Sequence, residues 1–427
     1  VFLVWLTVFL GWAVTTLDLQ IVSFVQKPMA ESLHISTGTV GNAFFLYAVG
    51  LGLGALILGY FSDRLIGRKR AFMYGIIGTV VMTGLTGVVQ NAPELMTVRF
   101  LAGFFSGGEW AMGLAMLSEF APVKRRSLLL AGTQAGVGVG YGLANVFAQT
   151  FGAPNAAGWR VAYLASFAFA ALAYLVRLGL RESPAWSKVK AAHESSPGEF
   201  KQGLRALFAK KQLRYTLIAL IIAFLIGAPQ GGWDFNYPAW YAHGGITGHL
   251  IPAVSGNTIT YAYEVALIVS TVFGGWFMDK VSAKWTLPLV WVAVPFTLLI
   301  WLAPFSQGVF PVATYLFIAG FFRQLGWSVT AAYFVLLFPT RIRGVGMGLA
   351  VVAEWSLGYG TSAFWGTSLV SSGNWDTFWL LQVILLALIP IPMVIAGVET
   401  RGKQIDFQDD DRLTATPALD GDVRARA

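Results

Sequence analysis

Long apolar stretches alternate with short polar ones along this chain, at the spacing of membrane-crossing helices. A spanning helix needs about 20 mostly apolar residues, and roughly twelve such segments can be laid out, centred near residues 14, 50, 81, 107, 140, 170, 224, 267, 296, 325, 356 and 386. A polar stretch at 182–212 separates six from six. The pattern therefore predicts an all-α membrane protein with an N-terminal six-helix bundle over 1–181, a cytoplasmic linker over 182–212, a C-terminal six-helix bundle over 213–397 and a cytoplasmic tail over 398–427. The tail carries Asp409, Asp410 and Asp411 without apolar periodicity and reads as disordered. The first segment, from Val1, lacks a basic leader and an A-x-A cleavage site, so it reads as a retained first helix.

Composition strengthens this picture. Hydrophobic residues make up 56% of the 427 and charged ones only 12%, against about 25% charged in a soluble domain. The basic residues cluster between apolar segments on one side: Arg64, Arg68, Lys69 and Arg70, then Lys124, Arg125 and Arg126, then Lys188, Lys190, Lys201, Lys210 and Lys211, then Lys280, Lys284, Arg341, Arg343, Arg401 and Lys403. The other side offers little beyond Lys27 and Arg160. By the positive-inside rule both termini are expected to be cytoplasmic, in a cytoplasmic (inner) membrane. This distribution accounts for the net charge of +8 without a nucleic-acid partner.

The halves echo each other at a nearly constant offset. GYFSDRLIGRKR from Gly59 returns as GWFMDKVSAKW from Gly275, matching Asp63 to Asp279 and Arg64 to Lys280 at 216 residues. At the same offset Asp18 meets Asp234; at 217, Ser106 meets Arg323, Trp110 meets Trp327, Pro122 meets Pro339 and Arg126 meets Arg343. Such a common offset implies a duplicated unit with pseudo-twofold symmetry, the plan of many secondary transporters.

These motifs resemble the major facilitator superfamily, whose transporters set two six-helix bundles around a central cavity. Gly59, Asp63, Arg64, Gly67, Arg68 and Lys69 are similar to its G-x-x-x-D-[RK]-x-G-[RK]-[RK] loop, with one extra residue at Leu65 and Ile66. Glu119, Pro122 and Arg126 resemble the E-x-x-P-x-x-x-R signature, whose echo keeps Pro339, Arg343 and Gly344 but has Leu336 for the acid. RESPAW from Arg181 and VETRGK from Val398 are similar to the P-E-S-P-R and P-E-T-K-G elements that follow helices 6 and 12. GGEW, Gly107 to Trp110, looks like proton symporters of organic acids, including the metabolite, sialate and lactate groups. The resemblance implies an inner gate closed by a charge network of Asp63, Arg68 and Glu119, with Arg126, Asp279 and Arg343 as gating positions in the same repeated motifs. The glycine-rich GTQAGVGVGYG lacks the proline of drug–proton antiporters, which argues against efflux by exchange; Gly132, Gly136 and Gly140 read as close helix packing.

Eight charges fall inside apolar segments: Asp18, Arg99, Glu109, Glu119, Asp234, Glu264, Arg323 and Glu354. Each costs about 2.5–3.5 kcal/mol at the bilayer centre even on the lenient insertion scale, so each needs a reason. Arg323 and Trp327, four apart, share a helix face, as do Ser106 and Trp110. An Arg fork can hold a carboxylate through two hydrogen bonds while an indole supplies an apolar wall and a donor. Arg323 is thus a candidate anion site, with Trp327, Trp110 and Ser106 around it, Gln20 and Tyr261 as further contacts, and a structural ion pair to Glu354 or Glu264 as the alternative. Glu109 and Asp18 are candidate proton carriers, since desolvation favours a neutral carboxyl; the alternatives are a fixed pair of Glu109 with Arg99 or with another helix, and a neutral, hydrogen-bonded Asp18. Asp234 and Glu264 are further proton-coupling candidates by position. Glu119, about ten residues and ~15 Å below Glu109, belongs to the inner clasp.

No enzyme signature emerges. The four histidines, His34, His193, His243 and His249, are dispersed; there is no H-E-x-x-H site and no P-loop. Cysteine is absent, and neither cofactor nor metal is expected. The duplication disfavours a channel. The expected function is proton-coupled symport of a small organic anion, with a neutral or cationic metabolite such as a sugar as the alternative. The expected partners are that solute, protons and lipid, and a single chain is expected to suffice.

Overall fold

The computed structural model describes residues 1–61, 68–152, 157–177, 205–243, 256–302, 309–338 and 342–399. Their helices form the twelve columns of the expected fold. In the first half these are α1 (Phe2–Ser32), α2 (Thr37–Phe61), α3 (Arg68–Thr86), α4 (Ala92–Phe120), α5 and α6 (Gly158–Arg177). Column α5 joins Arg126–Gly132 and Ala135–Phe147 to a π turn, Ala148–Gly152. The second half holds α7 (Leu213–His243), α8 (Gly256–Lys280), α9, α10 (Val309–Leu337), α11 and α12. Column α9 runs Ala283–Thr286, Leu287–Val292 and Ala293–Leu302; α12 is Trp375–Leu388 with Ile391–Ala396. Column α11 joins Arg343–Val351 and Thr361–Ser371 through a nine-residue π segment, Val352–Gly360. Seven of the described helices are long and apolar enough to cross a membrane.

Local chemistry sets the helix starts. Asn91 opens α4: its Oδ1 accepts from the Glu94 backbone N–H at 3.0 Å, while Glu94 reaches back to the Gln90 N–H at 2.8 Å. This reciprocal cap satisfies donors that a helix start leaves open. The columns carry large apolar side chains on their outer surface. Val81, Leu85, Leu172, Leu175, Val269, Trp285 and Ile395 face outward, as expected of a surface solvated by lipid. Close approach depends on glycine. A methyl group at Gly54 would fall 1.7 Å from the Phe104 carbonyl oxygen, and one at Gly107 would fall 1.8 Å from that of Leu51, so α2 and α4 touch backbone to backbone.

The two halves meet along α2 against α11 and α5 against α8. Gly348 packs on Leu56, Gly41 on Thr367, Gly275 on Leu128 and Gly138 on Ile268. Exposed Lys124, Arg125, Lys210, Lys211 and Lys280 mark one membrane face, called the basic face below. At the opposite face α1 reaches α7: the Gln26 side-chain amide donates to the Phe235 carbonyl at 3.2 Å, and Phe44 packs on Phe235 with ring centroids 4.8 Å apart. The loops carrying Asp63, Pro339 and Arg341, most of the 182–212 linker and the tail from 400 lie outside the described residues.

Candidate functional site

Within the first half, Arg99 of α4 holds Asp18 of α1. One guanidinium nitrogen donates to both carboxylate oxygens, at 3.0 and 2.9 Å, and the other donates to the Asp18 backbone carbonyl at 3.2 Å. Both side chains are fully buried. Tyr47 of α2 lies under the guanidinium, 4.5 Å from its ring centroid, and Tyr163 of α6 lies 5.7 Å away. Two of the alternatives weighed from the sequence are not found here. Asp18 is ion-paired, not an isolated hydrogen-bonded acid, and the partner of Arg99 is Asp18, not Glu109. Arg99 and Glu109 sit ten residues apart on one helix, about 15 Å along its axis, beyond side-chain contact. Glu109 is buried with its backbone against Gly75 of α3.

The equivalent acid in the second half has a different environment. Asp234 of α7 accepts four hydrogen bonds. Tyr141 of α5 and Tyr359 of α11 donate to Oδ2, the latter at 3.1 Å; Gln230 and Tyr263 donate to Oδ1 at 2.8 and 3.3 Å. Tyr141 makes this bond from the first half of the chain, so it crosses between the halves. Gln20 crosses as well, donating from α1 to the Asp234 backbone carbonyl at 2.5 Å and to Ser23 at 2.7 Å.

Arg323 lies beside this cluster, within electrostatic reach of Asp234 and linked to it by hydrogen bonds through Gln230. The Arg323 Nε donates to Gln230 Oε1 at 2.8 Å, and its terminal nitrogen donates to Gln382 Oε1 at 3.0 Å and to the Pro229 carbonyl. The guanidinium rests over the Trp233 ring, 5.1 Å from its centroid. All these acceptors are neutral, and no carboxylate of the described residues lies within 4.0 Å of Arg323. The alternative of an ion pair to Glu264 or Glu354 is therefore not found. Glu264 is held across the α5–α8 seam by Asn145 at 3.0 Å, with the Thr260 hydroxyl at 3.2 Å. Glu354 lies beside Thr330, seven residues and two turns along α10 from Arg323.

An aromatic layer lies nearer the basic face. Trp12, Trp110 and Trp327 each stand ten residues from the basic-face end of their helices, about 15 Å in. Trp12 meets Trp110 edge-on at 5.8 Å and Trp355 in a stack at 6.4 Å; Trp355 meets Trp327 at 5.1 Å and Tyr359 at 4.7 Å. Trp110 and Trp327, expected to be related by symmetry, thus line one cluster. Ser106 does not join it. Its hydroxyl accepts from Tyr47 at 3.0 Å and pairs with Thr79 at 3.1 Å, which turns it toward α2 and α3 within the first half. Tyr261 is half-buried at the seam, its hydroxyl 3.4 Å from the Gln149 amide nitrogen.

Of the gating positions, Asp279 is engaged between the halves: its two oxygens accept the Ser127 and Leu128 backbone N–H groups, each at 3.0 Å, at the start of α5. Arg126 is buried close by, within electrostatic reach of Asp279. Arg343 binds within its own half, donating to the Val335 and Phe338 carbonyls at 3.1 and 3.3 Å. Glu119 is half-buried at the end of α4; Asp63 and the Arg68 side chain lie outside the description. Sequence reasoning missed Tyr141, Gln230, Tyr263 and Tyr359. Gln230 left a signal, four residues before Asp234 on the same helix face; the tyrosines, in apolar runs, left none.

The Major Facilitator Superfamily profile matches residues 6–256. The chain is 25% identical over 343 residues to the cis,cis-muconate transport protein of Acinetobacter baylyi, covering 80% of this chain and 81% of that one. It is 24% identical over 436 residues to the gallate transporter of Pseudomonas putida, covering 94% and 90%. Its fold is similar to that of the proton:xylose symporter XylE bound to 6-bromo-6-deoxy-D-glucose, with a TM-score of 0.73 at 17% identity, over 95% of this chain and 97% of that one. With twelve helices in two symmetry-related halves and buried charges where those halves meet, this chain is a multi-pass membrane transporter and belongs to the Major Facilitator Superfamily.

Proposed function

We propose that this protein imports a small organic anion, a carboxylate, together with at least one proton by alternating access. The observation that carries this reading is Arg323: a buried guanidinium whose hydrogen bonds go only to neutral acceptors. A cation removed from water with no carboxylate in hydrogen-bond contact, its nearest acid Asp234 reached across Gln230, favours an incoming anion, and its fork suits a carboxylate. Trp327, one turn along α10, supplies an apolar wall. Two relatives are named for carboxylates, muconate and gallate, which agrees with such an anchor.

Proton coupling is assigned to the Asp18–Arg99 pair. Protonating Asp18 cancels its charge, releases Arg99 and loosens α1 from α4, so proton binding changes how the halves can move. Asp234 acts as a fixed acid between the halves while its two oxygens hold four donors. Glu109 and Glu264 remain secondary proton candidates, Glu264 because it bridges the seam. The Asp279 cap on α5, with Arg126 and the Asp63, Arg68 and Glu119 positions, forms the inner gate, and the basic face is cytoplasmic in an inner membrane. Outward opening then breaks the Tyr141 and Gln20 bonds to Asp234, while inward opening breaks the Asp279 cap.

Proteoliposomes with pH gradient and voltage imposed separately test this reading. Carboxylates are expected to accumulate with an inward proton gradient, without net charge movement when one proton accompanies each negative charge. Accumulation of a sugar with inward positive current, or uptake that survives Arg323→Gln at unchanged apparent affinity, overturns it.

A further inference from the structure

On the outer surface of the second half, the start of α7 and the end of α12 leave a groove of about 550 Å³ between them, within the size range of ligand sites, about 300–1,000 Å³. Leu217, Ile218 and Ile221 of α7 and Ile391 and Ile395 of α12 wall it, and the charged side chains along it are Lys210 and Arg214. Both cations sit at its basic-face end. There Arg214 also donates to the Ala396 carbonyl at 3.4 Å and so joins the two helices. Ile221 lines a second groove as well, of about 320 Å³ between α7 and α11, where Phe224, Leu225, Leu349 and Leu357 continue the apolar wall without a charged side chain.

The mouth of this groove favours an anion. A helix start carries open N–H groups and partial positive charge, so acidic side chains belong in its first turn. The first turn of α7 has none, and Lys210, Lys211 and Arg214 crowd around its first residue, Leu213. No carboxylate of the described residues lies within 4.0 Å of these three cations. The depth of the groove identifies what carries the anion. From Leu213 to Leu225 α7 rises about 18 Å, against a hydrocarbon half-thickness of about 15 Å, so the apolar wall runs from the basic face to the middle of the bilayer. A water-soluble anion gains nothing from that wall, and a polar stretch of chain would lose its hydration along it. An acyl chain fills it without that loss. Ile395, one residue from the carbonyl that Arg214 binds, is 78% exposed, more than any other large apolar side chain of the described residues.

We propose that this groove binds one anionic phospholipid of the basic-face leaflet, its phosphate held by Lys210 and Arg214 at the start of α7. Its acyl chains lie between α7 and α12 and, past Ile221, between α7 and α11. A zwitterionic lipid brings the same phosphate with a cation attached, which meets Lys210 and Arg214 unfavourably, so the site selects by net charge. Bound there, the lipid clamps α7 to α12, the two helices whose Gln230 and Gln382 hold Arg323.

Purified protein in a neutral detergent, titrated with lipid and read by native mass spectrometry and by thermal unfolding, tests it. The probes are phosphatidylglycerol and phosphatidylcholine with the same long acyl chains, a short-chain phosphatidylglycerol, and inorganic phosphate. In the wild type one long-chain phosphatidylglycerol binds about tenfold more tightly than phosphatidylcholine and raises the unfolding midpoint, while the short-chain lipid and phosphate do neither. Lys210→Gln combined with Arg214→Gln removes that preference. Ile221→Trp, which fills the groove where its two arms meet, weakens phosphatidylglycerol with both cations in place. Lys124→Gln combined with Arg125→Gln takes the same charge from side chains that do not line the groove and leaves the preference intact. Equal binding of the two long-chain lipids identifies ordinary boundary lipid and overturns the proposal, as does a preference that survives the loss of Lys210 and Arg214. Phosphate or the short-chain lipid acting as well as the long-chain one leaves only a surface anion site, and a wild type that binds no lipid gives the groove to another occupant; either result overturns it too. The wild-type comparison of the four probes decides even if a variant fails to fold.

Discussion

Asp18 and Asp234 occupy equivalent places in the two halves, yet only Asp18 is gripped by an arginine; Asp234 is held by three tyrosines and an amide. The cause is a displaced cation. The echo of Arg323 is Ser106, seven residues from Arg99 on α4, so the two halves set their arginines two turns apart on equivalent helices. Removing one partner of a buried ion pair typically costs about 3–5 kcal/mol, because the other charge stays behind. Arg99→Gln should therefore lower the thermal unfolding midpoint in detergent sharply, and Asp18→Asn combined with it should recover most of the loss. Additive losses in the double variant would show that the two side chains are not energetically coupled.

The same pair makes a separate prediction about transport. In Asp18→Asn the proton site is permanently neutral, so substrate counterflow between equal pools should continue while accumulation driven by a pH gradient disappears. Measuring both in one proteoliposome preparation separates coupling from binding. Wild-type accumulation by this variant would move the proton site elsewhere, to Glu109 or Glu264.

The spans, the duplication and the buried charges were legible in the sequence because each is a property of a segment: apolar length, offset, a charge within an apolar run. Which charge meets which was not. Asp18 and Arg99 are 81 residues apart, and nothing local to either one marks the other; Glu109 is nearer in sequence but lies about 15 Å along the same helix axis. Arg323 was readable as an unusual cation, but its neutral acceptors were not, since Gln230 and Gln382 come from α7 and α12. The π segments of α5 and α11 shift the side-chain register without any composition mark, so Glu354 and Trp355 could be counted but not aimed.

Tyr141 ties the halves together at the level of Asp234. Tyr141→Phe removes a donor from a buried carboxylate, a loss on the order of 1–3 kcal/mol borne only by the state in which the halves are closed there. The chain has no cysteine, so a single reporter can be placed at Phe44, buried against Phe235. Labelling of Phe44→Cys from the opposite face should quicken about tenfold when Tyr141→Phe is added. An unchanged rate would mean that the hydroxyl does not hold this side shut.

Asp279 acts at the other end of the seam. The first N–H groups of a helix have no intrahelical acceptor and carry partial positive charge, and Asp279 supplies both an oxygen for each and the opposite sign. Asp279→Asn keeps one acceptor and loses the charge, so closure at the basic face should weaken by about 1–2 kcal/mol. A cysteine at Ala131, packed on Gly275 of α8, should then react faster with reagents applied from the basic side. Protection equal to that of the parent would assign the inner gate to other contacts.

Glycine positions give the sharpest contrast, because the sequence treats Gly132, Gly136 and Gly140 as one evenly spaced series. The structure separates them. A methyl group at Gly136 would fall 2.2 Å from the Phe9 carbonyl oxygen, and at Gly140 it would fall 2.5 Å from that of Ala13, both on the backbone of α1; at Gly132 the nearest atom, the Trp5 indole nitrogen, is 3.7 Å away. Backbone cannot yield as a side chain can, so Gly136→Ala and Gly140→Ala must push α5 from α1, at a cost of roughly 1–3 kcal/mol or more. Gly132→Ala meets only ordinary contact and gains the lower unfolded-chain entropy of alanine, so it should be neutral or stabilising by about 0.4–1 kcal/mol. Thermal unfolding of the three variants in one detergent should rank Gly132→Ala at or above the parent and the other two well below. Because α1 carries Asp18, the two damaging variants should also lose pH-driven accumulation, whereas Gly132→Ala should retain it; equal damage at all three positions would contradict the α1–α5 packing described here.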